Sequence, residues 1–281
     1  MIVRRFNSIV GHFQLSSERE RSDHASDKSD RRSLSLSSRR DSSDRRSDEC
    51  DHARLRAVRY DDGVPPPLFV LPGIGADERL FAAQRAVRDV RSINWVLPAD
   101  PRESLARYAA RLAGELRVTD PFDLGGSSFG GMVALELARH LSPRHVFLFG
   151  SCRSSDAVSL LLRALHPLAA MSPDRLLHPP RMLQPLIARW FGATSPAHIE
   201  LFAQMLAATP PAFIRWAARA VFSWPGVAEL PMPVYHVHGD HDRLIPVDRV
   251  KPDRVIAGAG HLLNLTHGDA VNDFIARVAS S

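Results

Sequence analysis

The sequence predicts an α/β fold, a doubly wound and mostly parallel sheet carrying a helical cap insertion, and three observations point there. Leu68-Phe69-Val70-Leu71 and Val146-Phe147-Leu148-Phe149 are continuous apolar runs, which suit strands buried on both faces of a parallel sheet. Such runs alternate with segments of helical apolar spacing, the rhythm that gives parallel strands joined by crossover helices. In Leu124–Arg139 a strand-like lead-in, 120–124, meets a glycine-serine turn and passes at once into a run with Val133, Leu135, Leu137 and Ala138 at helical spacing.

Composition divides the 281 residues before any element is read. Residues 1–62 are rich in Ser, Arg and Asp with few large apolar groups, so burial cannot offset the entropy of ordering them, and this extension is expected to be disordered. It reads either as an arginine-serine arm that contacts RNA or a partner, or as a dispensable extension or a start codon placed too far upstream; removing residues 1–60 is expected to leave folding and activity intact. The folded core is expected over 63–153 and 225–281, with 154–224 as the cap. A net charge of +5 is spread among interleaved Arg and Asp rather than gathered in a basic block, so no nucleic-acid partner is expected. Two cysteines, Cys50 and Cys152, make no disulfide framework and suit a reducing compartment. No apolar run reaches membrane-spanning length, and Asn7, Ser8, Gly11 and His12 break up the apolar residues of Met1–Leu15, so neither a membrane span nor a signal peptide is expected. The expected location is cytoplasmic, and oligomeric state is left open.

Taken in order, Pro65-Pro66-Pro67 stops the extension and Leu68–Leu71 is the first strand, ending in Pro72-Gly73-Ile74-Gly75. No Gly-Lys-Ser/Thr follows and G-x-G-x-x-G fails at Glu78, which argues against nucleotide binding. Ser92–Leu97 reads as the next strand and Glu103–Leu116 as an amphipathic helix with Leu105, Tyr108, Leu112 and Leu116 on its apolar side. His145–Gly150 is a further strand. Between Ser154 and Trp224 the rhythm turns to Leu, Ala and Pro, with helices expected at Ser159–Leu168, Pro179–Trp190, Ala197–Ala207 and Pro211–Phe222. Met171, Met182, Trp190, Phe191, Phe202, Met205, Phe213 and Trp216 are expected mostly in the core, a minority facing an acyl pocket. Strand character returns at 233–239, and Asp269–Val278 closes the chain as a helix with Val271, Phe274, Ile275 and Val278 on its apolar face.

The chemistry concentrates in a single G-x-S-x-G match, at Gly126, Ser128 and Gly130. A serine on so sharp a strand-to-helix turn has strained backbone angles, and residues two positions either side must lack a Cβ. Ser127 competes for the role, but its frame puts Phe129 where a glycine is needed. The backbone N–H of Phe129, at the start of a helix, would face an oxyanion formed by attack of Ser128, and the N–H of Ile74 is the expected second donor.

These residues, with Leu71-Pro72-Gly73-Ile74-Gly75, His238-Gly-Asp-His-Asp242 and Gly258-Ala-Gly260-His261, resemble the α/β-hydrolase superfamily from about residue 65 to the end. The resemblance implies Ser128 as nucleophile, His261 as general base and later acid, and Asp242 as the carboxylate that fixes the imidazole. Asp156, shortly after the strand that follows the serine, is the alternative acid, and His267 the second choice for the base. Pro72 stands where many esterases have His, and 94–104 is short, which looks like the acyl thioesterases; the expected substrate is therefore a small acyl ester or thioester, hydrolysed or transferred, with no cofactor. Two other classes compete. His236-Val-His238-Gly-Asp240-His241 resembles a metallo-β-lactamase zinc signature, although it comes late in the chain and leaves Gly126–Gly130 unexplained, so no metal is expected. A non-catalytic binding module of the same fold is the remaining alternative.

Overall fold

Strands β1 (Leu68–Leu71), β2 (Val90–Ser92), β3 (Asp123–Ser127), β4 (Val146–Phe149), β5 (Val234–Gly239) and β6 (Arg254–Ile256) form one six-stranded sheet in the order β2-β1-β3-β4-β5-β6, every neighbouring pair parallel. The computed structural model describes residues 65–118, 121–164, 173 and 177–279. The extension 1–62, Met171 and the end of the helix expected at Ser159–Leu168 lie outside the described residues.

The apolar runs form strands because both faces are covered, and successive side chains take opposite faces. Phe69, Leu71, Val146 and Leu148 enter one hydrophobic cluster with α2 (Leu105–Glu115) and α3 (Phe129–Leu137); Leu68, Val70, Phe147 and Phe149 enter the other with the last helix, Gly268–Ala279. The chain steps from β1 outward to β2, then crosses back past β1 to β3 and onward to β4, β5 and β6. The winding therefore reverses between β1 and β3, and at such a switch the loops leaving the carboxyl ends diverge and open a crevice.

Helices α4 (Gln184–Trp190), α5 (Pro196–Ala208) and α6 (Pro211–Ser223) lie between β4 and β5 in the chain, each with a proline in its first turn, where a missing N–H costs no helical bond. Helix α6 is tied to α2: the Trp216 ring lies 4.4 Å from that of Tyr108, and its indole N–H donates to the Glu103 carbonyl at 2.8 Å. The short α7 (Leu263–Thr266) and α8 (Gly268–Ala279) complete the chain, after the four-residue α1 (Ala82–Arg85) near its start.

Three local expectations are corrected. The second strand is Val90–Ser92 rather than Ser92–Leu97, because its ladder with β1 ends where Ile93 N–H donates to the Val70 carbonyl; beyond Leu71 comes Pro72, which has no N–H to offer. Trp95 turns instead into an aromatic group, 5.0 Å from Phe213 and 5.5 Å from Phe129. The helix expected from Pro179 starts at Gln184, since Pro185 cannot donate the N–H that a longer helix would require there. Met182, expected in the core, sits on the turn before α4 and is 84% exposed.

Candidate active site

Ser128 joins β3 to α3 with φ 54° and ψ −122°, and among the described residues it is the only non-glycine with positive φ. Holding a serine there costs on the order of 1–3 kcal/mol, strain that persists only where the surroundings dictate it. They do so through glycine. A Cβ on Gly126 would lie 2.2 Å from the Gly130 carbonyl, and one on Gly130 would lie 2.1 Å from the Leu71 carbonyl oxygen, so β3, α3 and the end of β1 pack without room for a side chain. The turn is pinned further by Ser128 N–H to the Phe149 carbonyl at 3.0 Å and by the Ser151 hydroxyl donating to the Ser128 carbonyl at 2.6 Å. Ser127 is the last residue of β3 and is buried, whereas Ser128 is partly exposed. Among the described residues, nothing accepts a hydrogen bond from the backbone N–H of Phe129 or of Ile74, and both residues line the same cavity as Ser128.

Asp242 follows β5 and is fully buried. Its Oδ1 accepts the backbone N–H groups of Leu244 at 2.9 Å and Ile245 at 3.0 Å, and its Oδ2 lies 2.7 Å from His261 Nδ1. Burial pushes this carboxyl up, but the charge of His261, then hydrogen bonds from His238 and His261, outweigh it and hold it well below the usual carboxylate range. With Nδ1 so engaged, Nε2 is the nitrogen that His261 keeps for the cavity, which it lines together with Ser128. The loop bearing His261 is held by the end of α4: Leu262 N–H donates to the Phe191 carbonyl at 3.1 Å, and the Phe191 ring stands edge-on to the imidazole at 5.9 Å. That contact needs glycine on both sides, since a Cβ on Gly260 would come within 2.7 Å of the Gly192 Cα, and Gly192 itself has φ +98°.

Behind Asp242 lies a tier that the sequence suggests only as zinc ligands. His238 Nε2 is 2.8 Å from the Ile245 carbonyl oxygen and 3.3 Å from Asp242 Oδ2; both are acceptors, so Nε2 carries the proton. His238 Nδ1 is then the acceptor for His236 Nε2–H at 2.9 Å. Burial, then the neighbouring His238, presses the His236 pKa down to about 3, so that ring is neutral near pH 7. Period-two spacing in a buried strand was the signal that could have placed both rings on one side of β5. Asp240 and His241 are exposed, with Asp240 accepting the Gly258 N–H at 2.7 Å, and among the described residues no three His, Cys, Asp or Glu side chains are grouped to hold a metal ion.

The other candidates lie elsewhere. Asp156 is 86% exposed at its side chain and pairs with Arg163 at 2.8 Å. His267 Nδ1 lies 2.9 Å from the Thr266 hydroxyl, and its carbonyl accepts the Val271 N–H at the start of α8. Asp253 accepts the His236 backbone N–H at 2.6 Å, a structural role. Cys152 is buried, which pushes its thiol up to about 12 and leaves it protonated near neutrality.

The cavity above Ser128 has a volume of about 430 Å³. The loop after β1 supplies Gly73 and Ile74, the serine turn supplies Phe129 and Met132, and α4 with Phe191 just after it, α5 and α6 supply the facing wall, with Ile187, Phe202 and Ile214 among the helical residues. Of the eight large apolar residues singled out in the insertion, Phe191 and Phe202 line this cavity, and Met205, Phe213 and Trp216 are buried in the packed interior.

No curated protein sequence matches the chain. Solved structures do: a thermophilic esterase from Thermogutta terrifontis at 20% identity and a TM-score of 0.60, covering 76% of this chain and 89% of that one. An esterase from Exiguobacterium antarcticum, at 16% identity and TM-score 0.59, covers 78% and 93%. The enol-lactonase from Burkholderia xenovorans LB400, at 16% identity and TM-score 0.62, also covers 78% and 93%. At these identities the likeness concerns the fold. The sequence profile of the alpha/beta hydrolase family matches residues 51–274, four-fifths of the chain, and with the parallel sheet and the serine turn at its switch point it establishes that this protein belongs to the alpha/beta hydrolase family.

Proposed function

We propose that the protein hydrolyses carboxylic esters through an acyl-serine intermediate, with Ser128 as nucleophile, His261 as general base and then acid, and Asp242 as the carboxylate that orients His261. The observation that carries this reading is the pairing of a strained, partly exposed serine with a histidine that faces the same cavity and whose far nitrogen lies 2.7 Å from a buried carboxylate. Ser128 Oγ attacks the acyl carbon as its proton passes to His261 Nε2. The oxyanion that forms is met by the N–H groups of Phe129 and Ile74. Collapse breaks the bond to the leaving alcohol, which takes the proton from Nε2. Water, deprotonated by the same nitrogen, then attacks the acyl carbon, Ser128 Oγ regains a proton, and a carboxylic acid leaves. Asp242 stays ionised throughout, and its depressed pKa favours that role.

In this reading α4, α5 and α6 act as the cap over the serine, and the names esterase and enol-lactonase borne by similar structures are in keeping with an acyl–oxygen bond. A thioester gives the same acyl-serine, so matched p-nitrophenyl esters and acyl thioesters are assayed together, and a preference for thioesters redirects the leaving-group assignment alone. The decisive experiment is labelling with a fluorophosphonate followed by peptide mapping. Ser128 is expected to carry the phosphonate, and Ser128→Ala to lose both label and turnover; label absent from intact protein overturns the proposal.

A further inference from the structure

The cavity is more specific than an acyl-binding cleft has to be. Among the described residues that line it, only Ser127, Ser128 and His261 carry polar side-chain groups, and no Arg, Lys, Asp or Glu is present. All three lie at the reacting end. The remaining wall is aliphatic or aromatic, built from both halves of the fold: Ala76 and Leu80 follow β1, Leu206 comes from α5, and Ile214, Ala218 and Val221 come from α6. Against these described residues a carboxylate, ammonium or phosphate would lose its hydration and meet no partner. At about 30 Å³ per non-hydrogen atom, the share a water molecule takes in the liquid, 430 Å³ accommodates roughly 14 such atoms. An ester group accounts for a few of them, leaving room for a chain of about ten carbons.

We infer that the substrate is an uncharged ester whose acyl part is an aliphatic chain of medium length, roughly eight to ten carbons, seated between the loop after β1 and helices α5 and α6. The inference rests on the proposed function and adds the acyl class to it. Every methylene buried in such a wall contributes about fourfold in kcat/KM until the space is filled. The α6 side of the wall contains one small residue, Ala218, and the space beside it is part of the volume the chain takes up.

The test is a series of p-nitrophenyl esters from acetate to palmitate, with the p-nitrophenyl monoester of octanedioic acid as the charged counterpart of octanoate. The expected result is a rise of about fourfold per methylene to a maximum near eight to ten carbons, and a monoester at least about 100-fold poorer than octanoate. A maximum at acetate, a flat series, or a monoester equal to octanoate overturns the inference. Ala218→Phe is expected to lower the octanoate-to-butyrate ratio of kcat/KM about tenfold or more, because it occupies the room of several methylenes; Leu206→Phe serves as the second variant should the first fail to fold. An unchanged ratio in a folded variant removes the chain from this wall. The rate of Ser128 phosphonylation by ethyl and octyl p-nitrophenylphosphonates reads the same preference without turnover. If Ser128 labels but octyl and ethyl reagents react alike, the acyl class is wrong and the nucleophile stands; if nothing labels, the proposed function itself has failed.

Discussion

At the scale of single residues, the carboxylate and the rings around it make opposing demands on one oxygen. Asp242 Oδ2 faces both His261 Nδ1 at 2.7 Å and His238 Nε2 at 3.3 Å, so the two imidazoles compete for its negative charge. Asp242→Asn removes that charge and presents His261 with the wrong tautomer, and kcat/KM for a p-nitrophenyl ester is expected to fall by about 10⁴-fold. Asp156→Asn, which alters an exposed ion pair with Arg163, is expected to stay within about twofold of wild type; a loss confined to Asp156→Asn would transfer the acid role there. Asp242 and His261 were legible in the sequence because a strand ending in Gly-x-x-Asp and a Gly-flanked His leave a local signature. Their spacing to Phe191 and Gly192 was not, since that contact joins segments about seventy residues apart with no shared pattern.

At the scale of elements, the serine turn is the feature most tightly dictated by sterics, and two glycines test this in opposite directions. Gly130→Ala introduces a Cβ about 2.1 Å from the Leu71 carbonyl oxygen and 2.3 Å from that of Pro72, backbone atoms that cannot yield without separating α3 from β1. Its urea midpoint is expected to drop by the equivalent of several kcal/mol, with loss of phosphonate labelling. Gly114→Ala, near the end of α2 with nothing within 4 Å of the new methyl, is expected to stabilise by about 0.5–1 kcal/mol. Equal effects from the two would refute the steric account of the turn. Strands β1 and β4 were legible because burial on both faces demands uninterrupted apolar residues. Strand β2 starts two residues and ends five residues earlier than expected because its limits are set by where its partner β1 stops at Pro72, a fact about pairing that residues 90–97 do not contain. The exposure of Met182 likewise depends on how α4 is oriented, which the Leu- and Pro-rich composition of the insertion left undetermined.

At the scale of the whole molecule, the buried imidazoles join active-site architecture to acid stability. Among the described residues no helix is long and apolar enough to cross a membrane. Burial first, then the neighbouring His238 and the charge of Arg153, presses the His236 pKa down to about 3 from an ordinary value of 6.5. Between those values the unfolded chain binds a proton that the native ring does not, so stability falls as pH drops through that window. From pH 7 to pH 5 this one group removes about 2 kcal/mol. Asp242 acts in the same direction at lower pH: its folded pKa is depressed, so its contribution is complete above the ordinary carboxylate value and disappears as pH falls toward the folded one. His145, whose pKa is lowered first by burial, adds to the loss across the histidine window. His236→Gln keeps a side-chain donor for His238 Nδ1 but cannot titrate, and the difference between its urea midpoints at pH 7 and pH 5 is expected to shrink relative to wild type by the equivalent of about 2 kcal/mol. Should the variant lose as much stability as wild type over that interval, the neutral, buried state assigned to His236, and the proton chain from it through His238 to Asp242, would both be untenable.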